Sequence, residues 1–241
     1  MGARSGAKAQ LVVDVTAQCM RLGEATFVAD ACGVLFWPAQ SALLVADLHL
    51  EKGAHFAGRG LFLPPYDTRE TLRRLQDAIA RYQPARVIAL GDSFHSARCA
   101  ADIADADLET IHGLQRGREW IWIAGNHDPE ISARVGGDVA SELLIDGMTL
   151  RHAPHAPHEG CEIAGHLHPV ARLAGRGISL RRRCFISDGR RIVLPAFGAF
   201  TGGLNVLDRA FAEVLGGDQI SVLMLGESGL YPVPPRNLLP D

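Results

Sequence analysis

A chain of 241 residues is long enough to bury one substantial core, and no linker-like or low-complexity stretch divides it, so a single domain is expected. Its 24 Lys and Arg stand against 27 Asp and Glu, a net charge of −3, which excludes a protein held to nucleic acid by bulk charge and leaves only a local basic patch possible. Five widely spaced cysteines without a C-x-x-C pair exclude a disulfide framework and fit a reducing, cytoplasmic setting; no apolar run reaches the length of a membrane span, so no membrane partner is expected.

In chain order, residues 1–10 are expected to form a disordered leader, 11–226 one folded domain and 227–241 a Pro-rich tail, extended or loose. Strands separated by turn residues are expected from Thr26 onward, the last of them running from Ala42 to Ala46 and stopping at Asp47. "YDTRETLRRLQDAIARYQP" predicts a helix: Asp67 and Glu70 make a D-x-x-E start, Leu72, Leu75, Ile79 and Tyr82 recur at helical spacing, and Pro84 ends it. "ARVIALGD" reads as a strand buried on both faces, residues 99–116 as a helix, and "EWIWIAGNHD" as another strand. Mostly strands follow, with an Arg-rich hairpin after "GHLHP". Helices early and strands late favour a layered α/β fold with a mixed sheet or two packed sheets.

Five of these apolar runs stop on residues that bind metals or move protons. They end on Asp47-Leu48-His49, on Gly91-Asp92, on Gly125-Asn126-His127-Asp128, on Arg151-His152 and on Gly165-His166-Leu167-His168. Ligands collect beyond the carboxyl ends of strands in layered α/β folds, so the five ends can meet. Residues two apart on an extended segment point the same way, which would aim Asp47 with His49, and His166 with His168, at one cavity. A glycine ahead of the chemistry at 91, 125 and 165 lets the backbone turn sharply and come close to an ion. Any one motif alone equally describes a solvated turn; the ordered set does not. Within "RHAPHAPHEG", His152, His155 and His158 all compete for one role, with His152 nearest the strand end.

The order "DLH", "GD", "GNHD", a single His and "GHLH" resembles the calcineurin-like binuclear metallophosphoesterases over Asp47 to His168. The resemblance implies an α/β fold, a β-sandwich of two mixed sheets flanked by helices, with two metals at one edge. It places Asp47, His49 and His168 on one ion, Asn126, His152 and His166 on the other, and Asp92 between both. His127 would face the scissile phosphate, with Asp128 holding its ring; His95 in "GDSFH" could also reach substrate. Carboxylate, amide and imidazole without thiolate suit two divalent ions, Mn first, with Fe or Zn also suited. Two such ions about 3.5–4 Å apart can share a hydroxide nucleophile and clamp phosphate oxygens during in-line displacement.

Longer stretches, "ADLHLEKGAHFAGRGLFLPPYDT", "LGDSFH", "GNHDP", "EIAGHLHP" and "LPAFGAFTGGLNV", resemble the bacterial ligase-associated DNA damage response endonucleases (PdeM-type) from about Asp30 to Asp208. That resemblance implies a Mn-dependent phosphodiesterase that nicks single-stranded or nicked regions of DNA, associated with a helicase, an exonuclease and a DNA ligase in repair. Between Arg172 and Arg191 seven arginines face Asp188 alone, a local charge of +6, so Arg181, Arg182 and Arg183 are candidate DNA contacts; a solvated hairpin explains them as well. Arg59 and Arg151 are weaker candidates. The alternatives are a phosphomonoesterase, a cyclic-nucleotide phosphodiesterase and a non-catalytic scaffold of the same fold.

Overall fold

Period-two alternation of apolar side chains decides how the sheets stack. In β4 (Ala42–Val45), β5 (Arg86–Leu90) and β6 (Glu119–Ile123) every second residue faces the opposite layer, and both sets are apolar. Leu44, Ile88 and Ile121 join the core between two sheets, while Leu43, Val87, Trp120 and Trp122 join a second core under the helices. Strands buried on both faces belong in the middle of a layered fold, and parallel pairing of β4, β5 and β6 follows.

The computed structural model describes residues 16–53, 66–156, 160–175, 177–216 and 220–241. The leader at 1–10, His55, Arg59, His158 and Arg176 lie outside them. The first sheet adds β1 (Ala17–Leu22), β2 (Ala25–Asp30) and β3 (Leu35–Trp37) as antiparallel neighbours of β4, and β7 (Asp138–Ala140) beside β6. The second holds β8 (Glu142–Ile145), β9 (Met148–Arg151), β10 (Cys161–Ala164), β11 (Pro169–Gly175), β12 (Ile178–Ser187), β13 (Arg191–Val193), β14 (Leu204–Asn205), β15 (Ser221–Leu225) and β16 (Leu230–Val233). Helices α1 (Asp67–Tyr82), α2 (Ala97–Asp102) and α3 (Asp105–Gln115) cover the first sheet, and α4 (Arg209–Val214) covers the second. Two mixed sheets between helical layers agree with the expected fold.

Three local expectations change. The run 99–116 is two helices, because Ile103 takes extended backbone and drops into the core; α3 restarts with Asp105 and Asp107 in its first turn, where the helix dipole favours acids. Asp67 does not cap α1: its Oδ2 accepts from the Gly53 backbone N–H at 2.8 Å, tying the helix start to the segment after β4. The tail beyond 226 is extended rather than loose, since β16 pairs with β15 and Asp241 is bound by Arg181. Its prolines sit where an edge strand and a terminal turn tolerate them. The five cysteines are free thiols, and no described helix is long and apolar enough to cross a membrane.

Candidate metal centre

The paired ligands do converge, but not on extended backbone. Asp47, His49, Asp92, His166 and His168 all have positive φ, between 44° and 70°, in the left-handed region that side chains seldom adopt. Such strain persists only where neighbours over-determine it. Here Asp47 N–H donates to the Gly91 carbonyl at 3.2 Å, His49 N–H to the Asp92 carbonyl at 2.9 Å, and His166 N–H to Asp47 Oδ2 at 3.0 Å. Each ligand-bearing turn therefore braces the next.

These turns gather two clusters. Asp47, His49 and His168 offer ligand atoms within 4.8 Å of one another, and Asp92, His152 and His166 do the same. In the first, His49 Nε2 lies 3.2 Å from His168 Nε2, which lies 3.3 Å from Asp47 Oδ1. In the second, His152 Nε2 lies 3.1 Å from His166 Nδ1, 3.3 Å from Asp92 Oδ2 and 2.9 Å from Asn126 Oδ1. Asp92 Oδ2 also comes to 4.0 Å from His49 Nε2, so this carboxylate stands between the clusters.

A divalent ion fits both. Ligands on bonds of about 2.0–2.2 Å stand about 3–3.6 Å apart around an ion, which is the spacing these atoms already have. His152 Nδ1 lies 2.9 Å from the Leu90 carbonyl, a bond that fixes the tautomer and presents the Nε2 lone pair to the cluster. Burial, with His168 beside it, pushes His49 down to about 3, so its ring is neutral near pH 7, the form that ligates. Burial alone would raise Asp92, but the His152 ring outweighs it and holds the carboxyl down to about 2. His152 is likewise lowered by burial and raised further by Asp92 and Asp47, a net rise. Of the competing histidines that the structure describes, His152 is the one brought to the cluster. His155 is exposed and its backbone N–H faces Glu162.

His127 is exposed at the mouth, with its ring centroid 5.3 Å from that of His49 and 5.4 Å from that of His95, on which it stacks at 25°. Asp128 does not hold that ring, contrary to the sequence expectation. It is fully buried, with Oδ2 accepting from Phe94 N–H at 3.0 Å and Oδ1 from Gly125 N–H at 3.1 Å, and burial pushes it up to about 6. The partner of the His127 ring is the His95 carbonyl, 3.2 Å from Nδ1. Asp128 thus shapes the turn, and His95 orients His127.

Close approach is the reason for glycine at 125. A Cβ there would stand 2.2 Å from both the backbone nitrogen and Oδ1 of Asp92. Gly125→Ala is therefore expected to displace Asp92 and cut the bound metal well below the wild-type content, measured by elemental analysis of the purified protein.

The arginine run divides instead of forming a track. Arg183 is turned inward: its NH1 donates to the carbonyls of Ala196, Phe197 and Gly198 at 2.8, 3.3 and 3.4 Å, and burial pushes its guanidinium down to about 10. Arg191 is buried against Glu162, and Arg181 is paired with Asp241 at 2.9 Å. Arg151 is bound to Glu142 and Glu162, away from the metal ligands. Arg182 and Arg190 remain exposed. Sequence reasoning also missed Arg74, which reads as a polar residue of an amphipathic helix. Its guanidinium donates to the Phe197 carbonyl at 3.0 Å and lies 4.5 Å from that ring's centroid. Together Arg74 and Arg183 clamp the segment whose Gly198 N–H donates to the Asp47 carbonyl at 3.1 Å.

A layered α/β sandwich with oxygen and imidazole ligands at its strand ends defines a metal-dependent phosphoester hydrolase. The calcineurin-like phosphoesterase family matches residues 41–179, a span that holds every ligand from Asp47 to His168, and the chain belongs to that family. The crystal structure of Pseudomonas putida nuclease MPE is similar at 30% identity, covering 90% of this chain and all of that one, with a TM-score of 0.70. Yfce, a phosphoesterase from E. coli, is a distant likeness at 16% identity and a TM-score of 0.41, covering 80% of this chain and 97% of that one. Comparison with curated proteins gives no match.

Proposed function

We propose that this metal-dependent hydrolase is a phosphodiesterase that cuts DNA, an endonuclease acting in repair in the cytoplasm beside a helicase, an exonuclease and a DNA ligase. The observation that carries the reading is the placing of Asp92, a member of one three-residue ligand cluster, toward the other, with the exposed His127 ring stacked on the half-buried His95 beside them. Likeness over nine-tenths of the chain to a protein described as a nuclease supports the choice of substrate.

Asp47, His49 and His168 would hold one divalent ion, Asn126, His152 and His166 a second, with Asp92 toward both; the thiolate-free donor set suits Mn, Fe or Zn, of which Mn is the ion proposed. Bound ions supply positive charge that polarises phosphoryl oxygens and makes water a stronger acid. His127 would supply a proton for the leaving oxygen from its doubly protonated ring: Nδ1–H is engaged with the His95 carbonyl, so Nε2–H is the donor left to face substrate, and the ring leaves that step neutral. The stacked His95 ring limits where that imidazole can turn. Asp128 and Gly125 fix the turn from which His127 projects, and the His127 backbone N–H donates to Asp92 Oδ1 at 2.9 Å, coupling the proton donor to the ligand array.

The test is hydrolysis of a chromogenic phosphodiester, its monoester counterpart and circular single-stranded DNA by metal-stripped protein resupplied with Mn. Cleavage of diester and DNA is expected. Activity confined to the monoester would replace the reading by a phosphatase, and a metal-loaded but inert protein would make it a scaffold.

The arginines give separable outcomes. Arg183→Ala leaves three carbonyls without their cation and is expected to cost about 2–3 kcal/mol, read as a lower Tm. Arg182→Ala is expected to leave Tm unchanged and to lower the salt slope of DNA binding by about one, provided it meets a phosphate.

A further inference from the structure

The segment from Gly198 to Gly203 wraps one side of the first ligand cluster. A Cβ on Gly198 would lie 2.3 Å from the Leu48 carbonyl, and one on Gly203 would lie 2.6 Å from the His168 carbonyl. Its two ends therefore rest on the backbone beside His49 and on that of His168, both ligands of the same cluster. Midway stands Phe200, with 40% of its surface exposed. Lys52, three residues beyond His49, reaches across and donates from Nζ to the Phe200 carbonyl at 2.9 Å. No described carboxylate stands within ion-pair distance of it; the nearest acidic influence is the charge of Asp67, whose Oδ2 is already bonded by the Gly53 N–H. An exposed aromatic ring and a lysine with donors to spare, tied together at the rim of a phosphoesterase centre, are the two elements that single-stranded nucleic acid requires.

We propose that the Lys52–Phe200 loop is the nucleotide-binding lip of this site: Phe200 stacks on a base next to the scissile phosphate and Lys52 neutralises a flanking phosphate. This rests on the DNA reading above and narrows it. A base lies on a side-chain ring only after leaving its duplex neighbours, so the lip fits the single-stranded regions already expected as substrate.

The experiment compares KM of the Mn-loaded full chain for a single-stranded oligodeoxynucleotide and for the same strand made abasic around the cut. Wild type is expected to prefer the intact strand, and Phe200→Ala to raise its KM about 5- to 150-fold, collapsing that preference toward one. Phe200→Trp is expected to restore the preference, which a merely disordered loop would not allow. Lys52→Met is expected to reduce the dependence of log KM on log salt by about one. Equal losses on both strands in Phe200→Ala, or no preference in the wild type, would overturn the lip while leaving the DNA reading in place. Wild type that hydrolyses the chromogenic diester but no DNA would remove the DNA reading itself, and the lip with it.

Discussion

Asp92→Asn is expected to abolish hydrolysis, by roughly 10⁴-fold or more, and to lose bound metal with it. The side chain keeps its shape, so the effect isolates the charge. Oδ2 faces His152 Nε2 at 3.3 Å and His49 Nε2 at 4.0 Å, and an amide at that place brings either a neutral oxygen or an N–H group among lone pairs that need a cation. Because Asp92 stands between the clusters, both lose affinity together, which a ligand of one cluster alone would not cause. Elemental analysis beside the diester assay checks it, with circular dichroism to show that the fold remains. Retention of two equivalents of metal with full activity would show that Asp92 is not shared.

His127→Ala is expected to separate chemistry from metal binding. The side chain is exposed and supplies none of the converging ligand atoms, while the backbone N–H that bonds Asp92 Oδ1 survives in alanine. Metal content and Tm should therefore stay near wild type, and kcat on DNA should fall by about 10²–10⁴-fold, the usual worth of a positioned proton donor. A good leaving group needs less protonation than an alkoxide, so a nitrophenyl diester should lose much less than DNA. Equal losses on both substrates would assign His127 to charge stabilisation instead, and normal activity on DNA would remove it from the mechanism. His95→Ala removes the stacked ring but keeps the carbonyl that bonds His127 Nδ1, and is expected to have the smaller effect of the two.

The position of the candidate centre was legible in the chain because metal-type residues at strand ends are a local matter: an apolar run stops, a glycine or a tight turn follows, and Asp, Asn or His comes next. The same locality identified β4, β5, β6 and α1, where one period of burial extends over the whole element. Conformation at the ligands was not legible. An i, i+2 pair reads as extended, yet Asp47 with His49 and His166 with His168 are left-handed, with the N–H groups of Asp47, His49 and His166 donating to the Gly91 carbonyl, the Asp92 carbonyl and the Asp47 carboxylate.

The fates of Asp128 and the arginines depended on partners distant in sequence. Beside His127 in the chain, Asp128 invites the reading of a ring-orienting carboxylate; only the packing of Phe94 and Gly125 over it turns it into a buried acceptor of backbone N–H groups. Arg181, Arg182 and Arg183 are identical in type, and only their neighbours make one a terminal ion pair, one an exposed surface cation and one a clamp on Ala196–Gly198. The sequence by itself determined the ligand types, the strands that deliver them and the layered class of fold, since these follow from short-range periodicity and the chemistry of single residues. Tertiary structure decided that His152 and not His155 joins the cluster, which of the described arginines remain exposed and which loop rims the site, since each is fixed by contacts between segments that periodicity does not relate.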